Sequence, residues 1–504
     1  MNFESNSKKL CTKFTAGILS AILMATAFSS CRKADDIIST ASDTVVTTQS
    51  GGSVTTTSSG SKGGTTTTSS GAKADPKVVK SLDGYTFTIA SGWLKLEEDI
   101  NENTPLTDRL FWERAHEVEK EYGCKIKAIR FYARNNDMRP YIMAGKKVAD
   151  LVETMPIWLP QNISNGSYKA WDDVKGVDLN DTNTFLPYVT KLGEYNGKHY
   201  GIQFEKPGNA RFCVMFNKDL LKKNGIDPDS LYTAVKNKTW TWNMLRDCAI
   251  KTTKDTNGDG IVDTYGIIGK YDYIANAILP SYGGGILTKT NGKYSYSLNS
   301  SASLSALNMY DKLVNTDKCV WVAPELLSES AYGNINENTY LQKFNSGSAA
   351  FLIWESWVLN QYTKLDAKFD YGILPLPLGD GQKEYVSPSH NTGMFCITST
   401  NKDTDKAVVV LNALAKNYGG YKNDNEWLED VQADYFRAND KQSLEMYKLI
   451  LNSSSMDYGL AIEGLEATFY GLIRKSIYLK DTTPAAAADS YKNSFTDEIN
   501  SLFN

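Results

Sequence analysis

Between Thr47 and Gly71, 22 of 25 residues are Ser, Thr or Gly, the exceptions being Gln49, Val54 and Lys62. A run of that composition buries too little apolar surface to offset the chain entropy lost on ordering. It therefore divides the sequence. Whatever folds begins after it, near Val78, and whatever precedes it is held by a flexible coil of about 37 residues with an end-to-end distance of roughly 33 Å. Ahead of the run lie Lys8, Lys9 and Lys13, an apolar stretch from Phe14 to Phe28, then Ser29-Ser30-Cys31. A basic start, a short apolar segment and small residues at a boundary predict an export signal over residues 1–30. The apolar segment is shorter than the roughly 20 residues a membrane-spanning helix needs.

Setting the signal and tether (31–77) aside leaves about 430 residues, too many for one core and enough for two domains. An apolar content of 41% with 29 tyrosines describes a globular body. Net charge is −4, and residues 1–30 carry three Lys against one Glu, so the remainder is more acidic still. That excludes nucleic acid and anionic surfaces as electrostatic partners. Apart from Cys11 and Cys31 there are five cysteines, Cys124, Cys213, Cys248, Cys319 and Cys396, with no CxxC pair. This is neither a disulfide framework nor a zinc site. Three separated histidines, His116, His199 and His390, argue against histidine-based metal or triad chemistry.

The body opens on a β-branched and aromatic run, Tyr85 to Ala90, closed by Ser91-Gly92. Residues 105–122 carry Leu110, Phe111, Ala115, Val118 and Tyr122 at helical spacing. Residues 124–129 and 148–154 read as second and third strands. Strands alternating with helices predict an α/β fold, a parallel sheet with helices on both faces. Ligands of such sheets bind beyond the carboxyl ends of the strands, here Ser91-Gly92-Trp93 and Glu153-Thr154-Met155.

One stretch predicts a cation site. Asp255, Asn257, Asp259 and Asp263 occupy positions 1, 3, 5 and 9 of a calcium loop, with Gly260 at position 6 and the Ile261 carbonyl at 7. Position 12 is Gly266 rather than a bidentate Glu, so another carboxylate or water would have to complete the shell of a structural Ca2+. The alternative is an Asp/Gly turn of similar spelling.

Five segments, in order, carry a family resemblance. They are Tyr195-Asn196-Gly197-Lys198-His199-Tyr200-Gly201-Ile202; Val214 to Ile226; Thr239-Trp240-Thr241-Trp242 with the helix that runs on to Gly266; Phe344 to Phe351 with Trp354-Glu355-Ser356-Trp357; and Tyr371 to Gly379. Together they resemble the bacterial extracellular solute-binding proteins of ABC importers, in the sugar-binding branch. The resemblance implies a two-lobed fold with a hinge crossed by the chain near Gln203–Pro207, Val386–Asn391 and Asn417–Tyr421. The N-terminal lobe would comprise 78–203 and 388–420, and the C-terminal lobe 204–387 and 421–504. It also implies a monomer that holds a carbohydrate between the lobes and hands it to a membrane permease, with no catalysis. Cys31, at the cut of the export signal, resembles a lipoprotein's lipidated first residue, which places the protein at the outer face of the cell membrane.

Sugar rings offer apolar C–H faces rimmed by hydroxyls, so their sites combine aromatics with carboxylates, amides and Arg. Trp357 matches the Trp of the family's GxW, with Glu355 replacing its Gly, and Trp354 and Glu355 are expected to face the cleft. Phe469 and Tyr470 resemble the family's late helix that lends a stacking aromatic. Trp93, Glu153, Tyr273, Asn276 and Tyr282 are further candidates, and Arg211 lies just past the first crossing; for each aromatic, core packing is the competing reading. Two other functions remain open to the residues alone. One is a glycan hydrolase using a pair among Glu153, Glu205 and Glu355. The other is a calcium-dependent adhesin.

Overall fold

The computed structural model of the protein describes residues 81–503, except 105, 135–136, 183, 205–210, 291–292, 328–335, 360–365, 390–391, 417–425, 427–439, 456–457 and 462–464. The residues expected to form the export signal and tether, Cys31, Glu205 and the crossing expected at 417–421 lie outside the described residues. So do residues 205–207 and 390–391 of the other two crossings.

The first strands follow the local signals within three residues: Thr86–Ser91 (β1), Lys125–Arg130 (β2) and Leu151–Thr154 (β3), then the short Tyr168–Lys169 (β4). The chain next builds Phe212–Asn217 (β5), Tyr265–Ile268 (β6), Ala349–Glu355 (β7) and Tyr371–Leu374 (β8), and finally Met394–Thr398 (β9). One sheet has the order β2-β1-β3-β9-β4, the other β8-β5-β7-β6. Both are mixed, which corrects the parallel sheet expected from strand–helix alternation. β1 to β3 are indeed parallel, but β9, arriving after the whole second sheet has been built, enters antiparallel against β3 and β4. In the second sheet β5 runs antiparallel to both neighbours and only β6–β7 are parallel. Pattern along one segment is silent on where a strand from elsewhere will insert.

Each sheet carries its own core. Around the first, the Leu106–Tyr122 helix buries Leu110, Phe111, Trp112, Ala115 and Val118, and the Thr404–Leu414 helix packs beside it. Around the second, β5 and β7 are buried along their full length, as strands covered on both faces must be. The Asn217 and Thr241 side chains cap the helices that follow, accepting from the Leu220 and Met244 amides. Asn196 and Gly197, at φ 50° and 76°, form the tight turn between Glu194–Tyr195 and Lys198–His199, the geometry for which Asn-Gly is preferred. All five cysteines of the body are free and buried. Among the described residues no helix is long and apolar enough to cross a membrane.

Candidate solute site

The carboxyl ends of β1, β2 and β3 lie side by side, and the chain leaving each one presents an aromatic side chain. Trp93 follows β1, Tyr132 follows β2 and Trp158 follows β3. Trp93 stacks on Trp158 (centroids 6.0 Å, planes 17° apart) and meets Tyr132 edge-on (5.6 Å, 87°). Six large hydrophobic side chains are exposed among the described residues, and Trp93 (39%) and Tyr132 (40%) are two of them. Surface aromatics held against one another in this way form a rigid apolar platform.

The backbone beneath the platform is tightly tied. Ser91 Oγ accepts the Trp93 and Leu94 amides at 2.9 and 2.8 Å and donates its own hydrogen to Glu153. From the other side, the Arg130 guanidinium donates to the Gly92 and Leu94 carbonyls. Gly92 has no side chain for a physical reason: a Cβ there would overlap the Tyr132 ring. Glu153 is buried, and burial pushes its carboxyl up to about 7 against the opposing pull of the Ser91 hydrogen bond.

The platform borders the seam between the two halves. The Pro156–Trp158 turn touches the Tyr458–Ala461 turn, whose Leu460 belongs to the second core. Two further contacts cross the seam. Lys289 pairs with Glu194 at 3.3 Å. The Arg211 guanidinium lies 3.7 Å from the Tyr188 ring centre while hydrogen-bonding Ser454 and Thr392. Arg211 is thus fully buried at the junction of both halves.

On the second sheet the expected residues separate into four groups. Glu355 ends β7, fully buried, and accepts the indole N–H of the half-buried Trp357. Trp354, one residue earlier, is enclosed: its ring packs on Tyr273 (4.7 Å) and Tyr340 (6.1 Å), with no exposure. Alternation along the strand places Trp354 and Glu355 on opposite faces, so the two cannot line one surface. Asn276 donates to the Tyr470 hydroxyl and, with Leu279, Pro280, Ile286, Leu460 and Phe469, lines a small pocket. The Asn276 carbonyl oxygen has no hydrogen-bond partner among the described residues. Phe469 is core, with Tyr470 half-buried beside it. Tyr282 is elsewhere. It follows the Tyr271–Ser281 helix, about 16 Å along the axis from Tyr271, and is buried where Gly379 packs onto it.

Tyr132 and Trp158 were not legible as partners of Trp93. The usable signal was positional: an aromatic within four residues of each parallel strand's carboxyl end.

The Asp255 loop bonds to itself. Asp255 accepts the Asn257, Gly258 and Gly260 amides, and Asp263 accepts the Thr256 amide and hydroxyl and the Asn257 side chain. These bonds hold both carboxyls below the usual range. Among the described residues no group of three or more His, Cys, Asp or Glu is placed to hold a metal.

Residues 105–420, more than half of the chain, match the family of bacterial extracellular solute-binding proteins, and the chain belongs to it. Solved structures similar to it include the cyclo/maltodextrin-binding protein complexed with maltotetraose (TM-score 0.58, 17% identity, covering 83% of this chain and 98% of that one). Another is the GacH receptor of Streptomyces glaucescens, known unliganded and with acarbose (0.57, 15%, 83% and 99%). A third is the maltose/maltodextrin-binding domain MalE of Bdellovibrio bacteriovorus bound to maltotriose (0.54, 19%, 82% and 100%). At these identities the likeness is one of fold. No curated protein matches the sequence. The family and these structures are binding proteins, not enzymes, so the carboxylates at the strand ends are not a hydrolase pair.

Proposed function

We propose that the protein is a lipid-anchored receptor that captures an oligosaccharide between its lobes and delivers it to an ABC-importer permease. The observation that carries this reading is the platform of Trp93, Trp158 and Tyr132 beside the interlobe seam. Stacked aromatic faces bordered by Arg130 and Arg134 suit pyranose rings, which need apolar contact and hydrogen-bonding groups together. The maltotriose, maltotetraose and acarbose held by proteins of the same fold support the same solute class. Closure of the lobes on the solute would stabilise one conformation, and the permease would recognise that conformation across the rims of both lobes. The Ser/Thr/Gly run behind Cys31 would keep the receptor at high local concentration near its permease.

The test is thermal stabilisation across maltodextrins, other oligosaccharides, peptides and polyamines. A shift with oligosaccharides alone is expected; a shift with peptides or polyamines and none with sugars would sink the carbohydrate assignment. For the anchor, C31A should release the protein into the medium, and full membrane retention of that variant would remove the lipid.

A further inference from the structure

Glu153 is a carboxyl group with neighbours on two sides that belong to different parts of the machine. On one side its Oε2 takes the Ser91 hydroxyl hydrogen. That donation is obligatory, because the lone pairs of Ser91 Oγ are already committed to the Trp93 and Leu94 amides. On the other side Oε1 lies against Gly393, where any Cβ would overlap it. Gly393 belongs to the segment that re-enters the first sheet as β9, and its carbonyl accepts the Gln203 side-chain amide at 3.1 Å. Gln203 stands at the outgoing crossing, one residue past the bridge of Ile202 to Phe395. One carboxyl therefore touches the turn that carries Trp93 and, through Gly393 and its partner Gln203, the segments beside two of the three expected crossings.

We propose that Glu153 is a positioning residue: it does not touch the solute but fixes the Trp93 platform to the two interlobe crossings through Ser91 and Gly393. This rests on reading the platform as the solute site. It reassigns Glu153 from the sugar-contacting group that its place at a strand end suggests, for which its burial leaves almost no surface. The charged and titratable groups facing it are Asp108 on the Leu106–Tyr122 helix, which opposes its ionisation, and Arg130 at the end of β2, which favours it. From β1 and from the Gly393 segment the groups facing it, Ser91 and Gly393, are uncharged. Either protonation state leaves an oxygen for Ser91, but the ionised state makes the stronger hydrogen bond. The geometry of the Trp93 turn should therefore follow the state of a carboxyl it never contacts.

The experiment uses the full chain labelled with 5-fluorotryptophan, with the Trp93 resonance assigned by its loss in W93F. In the wild-type protein that fluorine resonance is expected to shift with pH with a midpoint near 7. In E153Q, which still accepts from Ser91 but cannot ionise, the shift should vanish while maltotetraose binding changes by less than about threefold. In S91A and E153A the resonance should move at every pH, and maltotetraose binding should weaken by about tenfold or more. If E153A does not fold, E153Q and S91A decide. A pH shift of Trp93 that persists in E153Q, or a Trp93 resonance unmoved in S91A, overturns the proposal. Failure of the wild type to bind maltotetraose or any other oligosaccharide would instead overturn the solute reading, and the fluorine titration would still decide the role of Glu153.

Discussion

The two sheets end in similar spellings with opposite outcomes. The first offers Trp93 and Glu153 at strand ends, the second Trp354, Glu355 and Trp357. At the first, Trp93 is exposed and the carboxyl is buried beneath it. At the second, the aromatic at the strand end is buried and Glu355 turns to the neighbouring Trp357. The difference lies in what covers the edge. The end of β7 is covered by the Tyr271–Ser281 and Glu337–Asn345 helices, so Trp354 is absorbed between Tyr273 and Tyr340. Trp93 lies beyond β1, against the Tyr132 and Trp158 rings and partly open to solvent. A tryptophan near a strand end serves as a binding surface when the chain has left the sheet, and as core while it is still within it.

The sharpest way to break that contrast is truncation. Trp354→Ala should cost about 3–5 kcal/mol of stability, read from urea unfolding midpoints, because it empties a closed site. A cost below about 1 kcal/mol would show that Trp354 is not core.

Second in size is a pH effect confined to the first sheet. Burial raises the folded-state pKa of Glu153 from 4.5 to about 7. The native state therefore binds the proton more tightly than the unfolded chain does. The contribution is fully present below about pH 4.5 and is lost as pH rises towards 7, on the order of 2–3 kcal/mol. Unfolding of E153Q measured in parallel should show a flatter slope over that window; identical slopes would put the carboxyl in water.

Trp93→Ala reverses the Trp354 result. Stability should change by less than about 1 kcal/mol, while oligosaccharide affinity should fall about tenfold, roughly 1.4 kcal/mol. Calorimetric titration of the variant checks it.

Smaller still is the clasp across the seam. A double-mutant cycle on Glu194 and Lys289 should give a coupling of about 0.2–1 kcal/mol that fades with salt, since both side chains are partly exposed. Coupling seen in solute affinity rather than in stability would make the pair part of closure. Smallest is the Asp255 loop, whose carboxylates are already occupied by its own amides and hydroxyls. Chelation should move the melting temperature by less than about 1 °C; a loss of several degrees would place calcium in that loop.

Much of the architecture is legible because its signals are local. Helix starts at Leu106, Lys218 and Trp242, the Asn196-Gly197 turn, and the first three strands are each specified within a few residues by side chains that cap, turn or alternate. The entry of β9 is not, because its partners, β3 and β4, come more than 200 residues earlier in the chain. The site divides in the same way. Trp93 and Glu153 stand out from their place at strand ends. Tyr132 and Trp158 join Trp93 only when β1, β2 and β3 pair, and Gly393 comes within reach of Glu153 only once the chain has returned from the second half.

By itself the sequence determined which segments become helix or strand, and to which family the body belongs. These follow from composition and short-range pattern, which act through neighbouring residues. Only the tertiary structure decided which aromatics face solvent, which carboxyl is buried, and what links the platform to the crossings. Exposure and pKa depend on the groups that fold against a residue, and those groups come from distant segments that only the assembled sheets bring together.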